Sequence, residues 1–371
     1  MRKLLLLFFL NALALVAYAG EATQEYFTIS NMTVVPGSDN VYSFTVSLNN
    51  VCRRYTAVNM DMHFPAGLVP DTKSNGSPKV VVDKTDESMV TVEDDEATHS
   101  VSATYDVVGT GIMRVVLMST ANEELKDTDG KLFTVYVKAT PFIQPGQAHI
   151  SVDEIALIIK EGGVAYEPEN QTDFTFTVEN ESTVPVTVSS DNQWSTCVLP
   201  FDCAIPEGVE AYSSSETSSN DNGDYLVLTK AESIQAYTPY ILYAPAGYTH
   251  QQVGEVNPAA YVEVAVAGVL RGAIVPQQIT EGYVLQNQGD GVKFYNVNGE
   301  AFTIPEGRCW VVVPNQNSPA FALDRSTTGI SVMQKSMMKS SDIYDLQGRR
   351  VTSPEPGHIY VMDGRKVLKL K

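Results

Sequence analysis

Tyr42-Ser43-Phe44-Thr45-Val46-Ser47-Leu48 and Val58-Asn59-Met60-Asp61-Met62-His63-Phe64 decide the fold. In each stretch every second residue is large and apolar, and the residues between are polar. Side chains alternate across a β-strand, so a period of two sets one face on a core. The stretches at 26–35, 79–83, 88–93, 98–107, 111–119, 131–139, 147–159 and 172–178 also read as strands. Turn residues separate them, as in Pro36-Gly37-Ser38, Pro65-Ala66-Gly67, Asn75-Gly76, Asp129-Gly130 and Pro145-Gly146. No stretch offers a long helical period. Many short strands with regular turns predict an all-β fold, with a β-sandwich over residues 20–180.

Outward from there, the chain divides by composition. Met1-Arg2-Lys3, the apolar run 4–16 and Ala17-Tyr18-Ala19 have the three parts of a secretory signal, so 1–19 is expected to be removed on export. The apolar run is shorter than the ~20 residues a membrane span needs. The strand pattern pauses at Glu179-Asn180-Glu181-Ser182, and a second β-rich domain is expected over 181–323. It holds both tryptophans and many tyrosines, and its 213–223 segment, rich in Ser, Asn and Asp, reads as a loop. A short repeat, Ile205-Pro206-Glu207-Gly208 and Ile304-Pro305-Glu306-Gly307, reads as a shared turn feeding a strand. Residues 324–341 read as a linker and 342–371 as a small β-hairpin tail around Asp363-Gly364.

The 371-residue chain carries a formal net charge of −19. Its last 41 residues run the other way, with eight Lys or Arg against four Asp or Glu. An acidic body of this kind does not neutralise phosphates, so no nucleic-acid partner is expected.

Three family resemblances follow from particular residues. Val41–Leu48 with Tyr55–Leu68 resembles the cohesin-like, carbohydrate-binding-module-like β-sandwich. That resemblance implies a jelly-roll sandwich and noncatalytic binding of a protein or polysaccharide. The segment 196–212, with Tyr237-Thr238-Pro239-Tyr240-Ile241-Leu242, resembles an accessory β segment of surface proteins from anaerobic Gram-negative bacteria. Tyr344-Asp345-Leu346-Gln347-Gly348-Arg349-Arg350-Val351, Gly357-His358-Ile359-Tyr360-Val361 and Gly364-Arg365-Lys366-Val367 resemble the C-terminal sorting tail of type-nine secretion cargo. The last implies display at the cell surface.

Motifs for chemistry are sparse. The five histidines are too widely spaced for an H-E-x-x-H pair, and no G-x-S-x-G elbow, P-loop or G-x-G-x-x-G occurs. No catalytic residue, metal ligand or cofactor is therefore assigned. Glu93-Asp94-Asp95-Glu96 reads as a solvated loop, with calcium coordination left open. Cys52, Cys197, Cys203 and Cys309 fit no zinc spacing. Buried free thiols and one bridge in the second half both stay open, Cys197 and Cys203 being the nearest pair. Flat aromatic rings suit sugar faces, so Trp194, Tyr237 and Tyr240 are the candidate ligand-binding residues, while Trp310 reads as core. The expected function is an exported, noncatalytic, surface-associated binding or adhesion protein with a protein or glycan partner. The alternatives are a fimbrial or matrix subunit, and a polysaccharide hydrolase or its accessory.

Overall fold

The computed structural model describes residues 25–106, 111–160, 165–166, 172–314, 317–325, 331–333, 343–345, 349, 351–362 and 365–369. The export signal read at 1–19, most of the linker read at 324–341 and the Asp363-Gly364 turn lie outside them. The fold is all-β. Among the described residues, the helical element is a single turn at Pro258–Ala260. The chain divides into two units. One comprises residues up to Val34, Asp39–Ala139 and Gly146–Val178, and the other Val35–Ser38, Thr140–Pro145 and the chain from Glu179.

The first unit is a two-sheet sandwich. One sheet runs Tyr26–Ile29, Tyr42–Asn49, Gly130–Ala139 and Leu68–Pro70, with Val80–Val82 also on Gly130–Ala139. The other runs Thr33–Val34, Thr172–Val178, Gly146–Ile159, Tyr55–His63, Ile112–Met118 and Ser100–Tyr105. The alternation does what its period demands: Phe44, Val46 and Leu48 are fully buried, as are Val58, Met60 and Met62. The opening segment serves both sheets. Tyr26–Ile29 pairs antiparallel with Tyr42–Asn49, and Thr33–Val34 then pairs parallel with Thr172–Val178.

Strand Tyr55–His63 is paired on both sides, with Ile112–Met118 and Gly146–Ile159. Its outer face carries a polar layer. Asp61 is buried and takes two hydrogen bonds from its cross-strand partner Arg114, Nε at 2.7 Å and Nη2 at 2.6 Å. His63 Nε2 lies 2.8 Å from Asp153 Oδ1. Beyond Asp153 the register slips through a bulge in which Glu154 takes a left-handed φ of 47°. Asn59 Nδ2 donates to the Glu154 carbonyl at 3.3 Å.

The second unit is built on a ten-stranded sheet. Its order is Trp194–Cys197, Tyr240–Tyr243, Glu210–Asn220, Gly223–Lys230, Ala320–Asp324, Val292–Asn296, Tyr283–Asn287, Cys309–Val311, Leu270–Gly272 and Ala265–Ala267. The sheet curls so that its far end meets its third strand: Ser214 bridges Gly268, and the Val269 amide donates to the Ser214 carbonyl at 2.9 Å. Gly268 sits at φ 61°, and a Cβ there would come within 2.3 Å of the Ser214 carbonyl oxygen. Only glycine fits that approach.

The segment 213–223 is strand rather than loop. Glu210–Asn220 runs through most of it and turns back at Gly223–Lys230, with a register shift between Ser214 and Thr217. The outer half of this hairpin is exposed, so Ser and Thr serve where a buried strand would need apolar residues. Both copies of the short repeat form the expected turn. Val209 N donates to Pro206 O at 3.1 Å and Arg308 N to Pro305 O at 3.2 Å, with Gly208 and Gly307 at φ 79° and 74°. The turns feed strands Glu210–Asn220 and Cys309–Val311. In the C-terminal piece, Ile359–Met362 and Arg365–Lys369 form a hairpin within a four-stranded sheet, over a small core of Ile343, Tyr360 and Val367.

Glu306 in the second turn has an oxygen, Oε1, that is shut off from solvent without a hydrogen bond. Burial pushes its carboxyl up from the ordinary 4.5 to about 7, against a weaker downward pull from the Thr140 hydroxyl and the Phe142 amide. The folded chain therefore holds this proton more tightly than the unfolded chain does. Its contribution to stability falls as pH rises from 4.5 to about 7 and is level above that. Glu306→Gln should gain stability relative to the parent across this interval. Paired thermal melts at several pH values check it, and a difference that stays constant with pH refutes it.

Candidate functional site

The ten-stranded sheet has a core on each face. Strand Tyr240–Tyr243 shows why: Tyr240 and Leu242 pack with Val186, Val188, Leu199, Phe201 and Ala211, while Ile241 points to Tyr212, Leu226, Leu228, Tyr283 and Phe294. The many tyrosines of this unit are mostly spent filling these cores.

That placement separates the three candidate residues. Tyr240 is buried, and its hydroxyl accepts a hydrogen bond from the Gln235 amide at 3.2 Å. Tyr237 is buried in a third cluster with Phe142, Val198 and Ile274. Its ring meets Phe142 and Tyr261 edge-on, and its hydroxyl accepts from Gln144 Nε2 at 2.8 Å. Tyr240 is enclosed in the core on one face of the sheet, and Tyr237, in the turn before that strand, is enclosed in the Phe142 cluster. Trp310 is likewise core, packed with Ala273, Ile279, Val284 and Ile304.

Trp194 is different. It opens the end strand of the sheet and is only half-buried. Its ring leans on Tyr243, its cross-strand partner, at 4.8 Å between centroids and on Tyr212 at 6.1 Å. The Arg325 guanidinium lies over the Tyr243 ring, 4.0 Å from its centroid. Arg325 in turn pairs with Glu210 at 2.7 Å, and the Tyr212 hydroxyl donates to Glu210 at 2.6 Å. The tryptophan therefore sits in a braced cluster of mutually tilted rings.

Beside it lies a cleft of about 340 Å³. It opens between strand Trp194–Cys197 and strand Tyr283–Asn287, whose pairing to Cys309–Val311 stops after Tyr283. Trp194 and Phe302 supply aromatic surface, and Asn192, Gln286, Asn287 and Arg308 supply polar groups. Asn287 Nδ2 donates to Asn192 Oδ1 across the gap at 2.9 Å. No Asp, Glu, His or Lys lines the cleft. The one thiol in the lining, Cys309, is buried and pushed up to about 12.

The lining comes from segments far apart in sequence, and no local pattern marks it. The one available signal was Arg308, a cation directly after the second repeat in an acidic chain. Elsewhere, the acidic stretch 93–96 forms a tight exposed hairpin with Asp94 and Asp95 both left-handed. Among the described residues, no group of three His, Cys, Asp or Glu is placed to hold a metal ion. Among them too, no helix is long and apolar enough to cross a membrane.

No protein-family model and no curated protein matches the chain. Solved structures similar to it are cohesin domains. A type I cohesin of Clostridium thermocellum, solved in a cohesin–dockerin complex, is 17% identical and covers 42% of this chain and 99% of its own, with a TM-score of 0.30. A non-cellulosomal cohesin from the archaeon Archaeoglobus fulgidus is 14% identical over 41% of this chain and 90% of its own, at 0.28. A cohesin of Clostridium acetobutylicum is 16% identical over 42% and 92%, at 0.30.

None of the four cysteines forms a disulfide; Cys52, whose Sγ donates to Glu25 Oε1 at 3.1 Å, is exposed, and Cys197 and Cys309 are buried. Burial raises the Cys197 and Cys309 thiols far from their reactive range. A maleimide added to the native chain should modify Cys52 quickly and leave Cys197 and Cys309 untouched until denaturant is added. Mass mapping of the labelled peptides checks this, and rapid native labelling of either buried thiol counters it.

Proposed function

We propose that this chain is an exported, noncatalytic binding protein that holds a surface partner in the cleft beside Trp194. The observation that carries this reading is the braced, half-buried tryptophan at the mouth of a cleft with no acid–base pair in its lining. Aromatic faces flanked by side-chain amides suit a glycan, whose rings offer apolar faces and hydroxyl edges at once. The signal-like N-terminus and the sorting-like tail support display outside the cell. Of the two tryptophans, only Trp194 lines the cleft. Ligand from a glycan array should therefore shift the emission of the parent chain and leave that of Trp194→Phe, which retains Trp310, unchanged. Turnover of the captured glycan, or an unaltered response in the variant, refutes the reading.

A second reading, a matrix or fimbrial subunit, is favoured by one observation. Strand Ala265–Ala267 ends the ten-stranded sheet, and Tyr261, Val262, Val264 and Val266 around it are exposed. Apolar sheet edges invite pairing with another chain. Under that reading the chain forms concentration-dependent oligomers, and Val266→Lys abolishes them. Light scattering decides, and a monomer at all concentrations removes it.

A further inference from the structure

We infer that the cleft beside Trp194 selects a sugar ring bearing a carboxylate. This rests on the reading of the cleft as a ligand site and adds the chemical class. Arg308 lines the cleft. Its Nη1 donates to Ser195 Oγ at 2.6 Å and to the Thr196 carbonyl at 2.8 Å. Both bonds leave from one terminal nitrogen, so the guanidinium is anchored at Nη1, and among the described residues no hydrogen bond or ion pair engages Nη2 or Nε.

Arg308 takes part in none of the ion pairs among the described residues. In the same unit Lys230 and Arg325 share Glu210, and Lys293 pairs with Asp290. The nearest acid in sequence, Glu306, does not line the cleft; its carboxyl lies with Thr140 and Phe142. A positioned cation without a counter-charge, in a chain of net charge −19, is a site looking for an anion. A planar carboxylate matches the guanidinium fork in two hydrogen bonds. Trp194 and Phe302 provide the surface for a ring, and Asn192, Gln286 and Asn287 provide donors and acceptors for hydroxyls. The volume, about 340 Å³, is at the small end for ligand sites, so it takes a short stretch of a glycan.

Calorimetry on the full secreted chain tests this with four probes: a galacturonate trimer, the neutral galactose trimer, a sulfated galactose trimer and a Glu tripeptide. The galacturonate should bind about tenfold more tightly than the neutral trimer, the scale of a charge-assisted hydrogen bond. Arg308→Gln should erase that difference between acidic and neutral trimers. Because Arg308 also braces strand Trp194–Cys197, salt titration of the unaltered chain supplies a second readout. Galacturonate affinity should fall with salt while neutral affinity does not. Equal affinity for acidic and neutral trimers, or no salt dependence, overturns the proposal and leaves the cleft as a neutral glycan site. Sulfated sugar or peptide binding as tightly as galacturonate overturns the carboxylate-sugar assignment. If no probe binds and Trp194 emission never moves, the reading of the cleft falls as well.

Discussion

Strand Tyr55–His63 is the element on which the first unit depends. It is hydrogen-bonded on both sides, and Val58, Met60 and Met62 are fully buried on one face. Burying each such side chain contributes about 1.5–3 kcal/mol. The other face would ordinarily be left to water, but here it holds Asp61 in a two-point grip from Arg114. A slip of one residue would send the methionines outward and the carboxylate inward. The Asp61–Arg114 pair thus reinforces the register that the apolar face already demands. The bulge at Glu154 breaks the ladder with Gly146–Ile159, and Asn59 satisfies the carbonyl it leaves. The strand keeps its full length because a side chain replaces the missing backbone partner.

The second unit solves a different problem. A sheet with a core on each face needs apolar side chains at consecutive positions, and Tyr240-Ile241-Leu242 supplies them. Tyrosine is useful in such cores because its ring fills volume while its hydroxyl reaches a polar partner at the margin. Tyr212, Tyr237 and Tyr240 each do this, toward Glu210, Gln144 and Gln235. Aromatic abundance in this half of the chain therefore reflects packing demand. Trp194, at the start of the end strand, is left half-buried.

Period two in 42–48 and 58–64 makes the sandwich legible in the sequence, and the Pro-Glu-Gly repeat makes two turns legible. The misread residues share a cause. Residues 213–223 looked like a loop because Ser, Thr and Asn dominate, yet a hairpin whose outer half is solvated tolerates them. Tyr237 and Tyr240 belong to a tyrosine-rich stretch, and both rings are buried. Both-face burial depends on which distant segments stack on the sheet, and composition does not record that. The cleft was illegible for the same reason, since Asn192, Gln286, Phe302 and Arg308 meet only through the order of strands.

The overall acidity and the charge of the cleft act on different length scales. Charges in water are screened beyond about 8 Å at physiological ionic strength. Most Asp and Glu side chains on this body therefore raise solubility and do little at a site they do not line. Inside the cleft the relevant groups are Arg308 and the neutral amides around it. Net charge describes how the molecule behaves toward bulk partners, and the local arrangement decides what it holds. An acidic protein can then present a cationic site, provided that its acids are paired, solvated or turned away. Glu210 and Asp290 are paired, the 93–96 hairpin is solvated, and Glu306 is turned away.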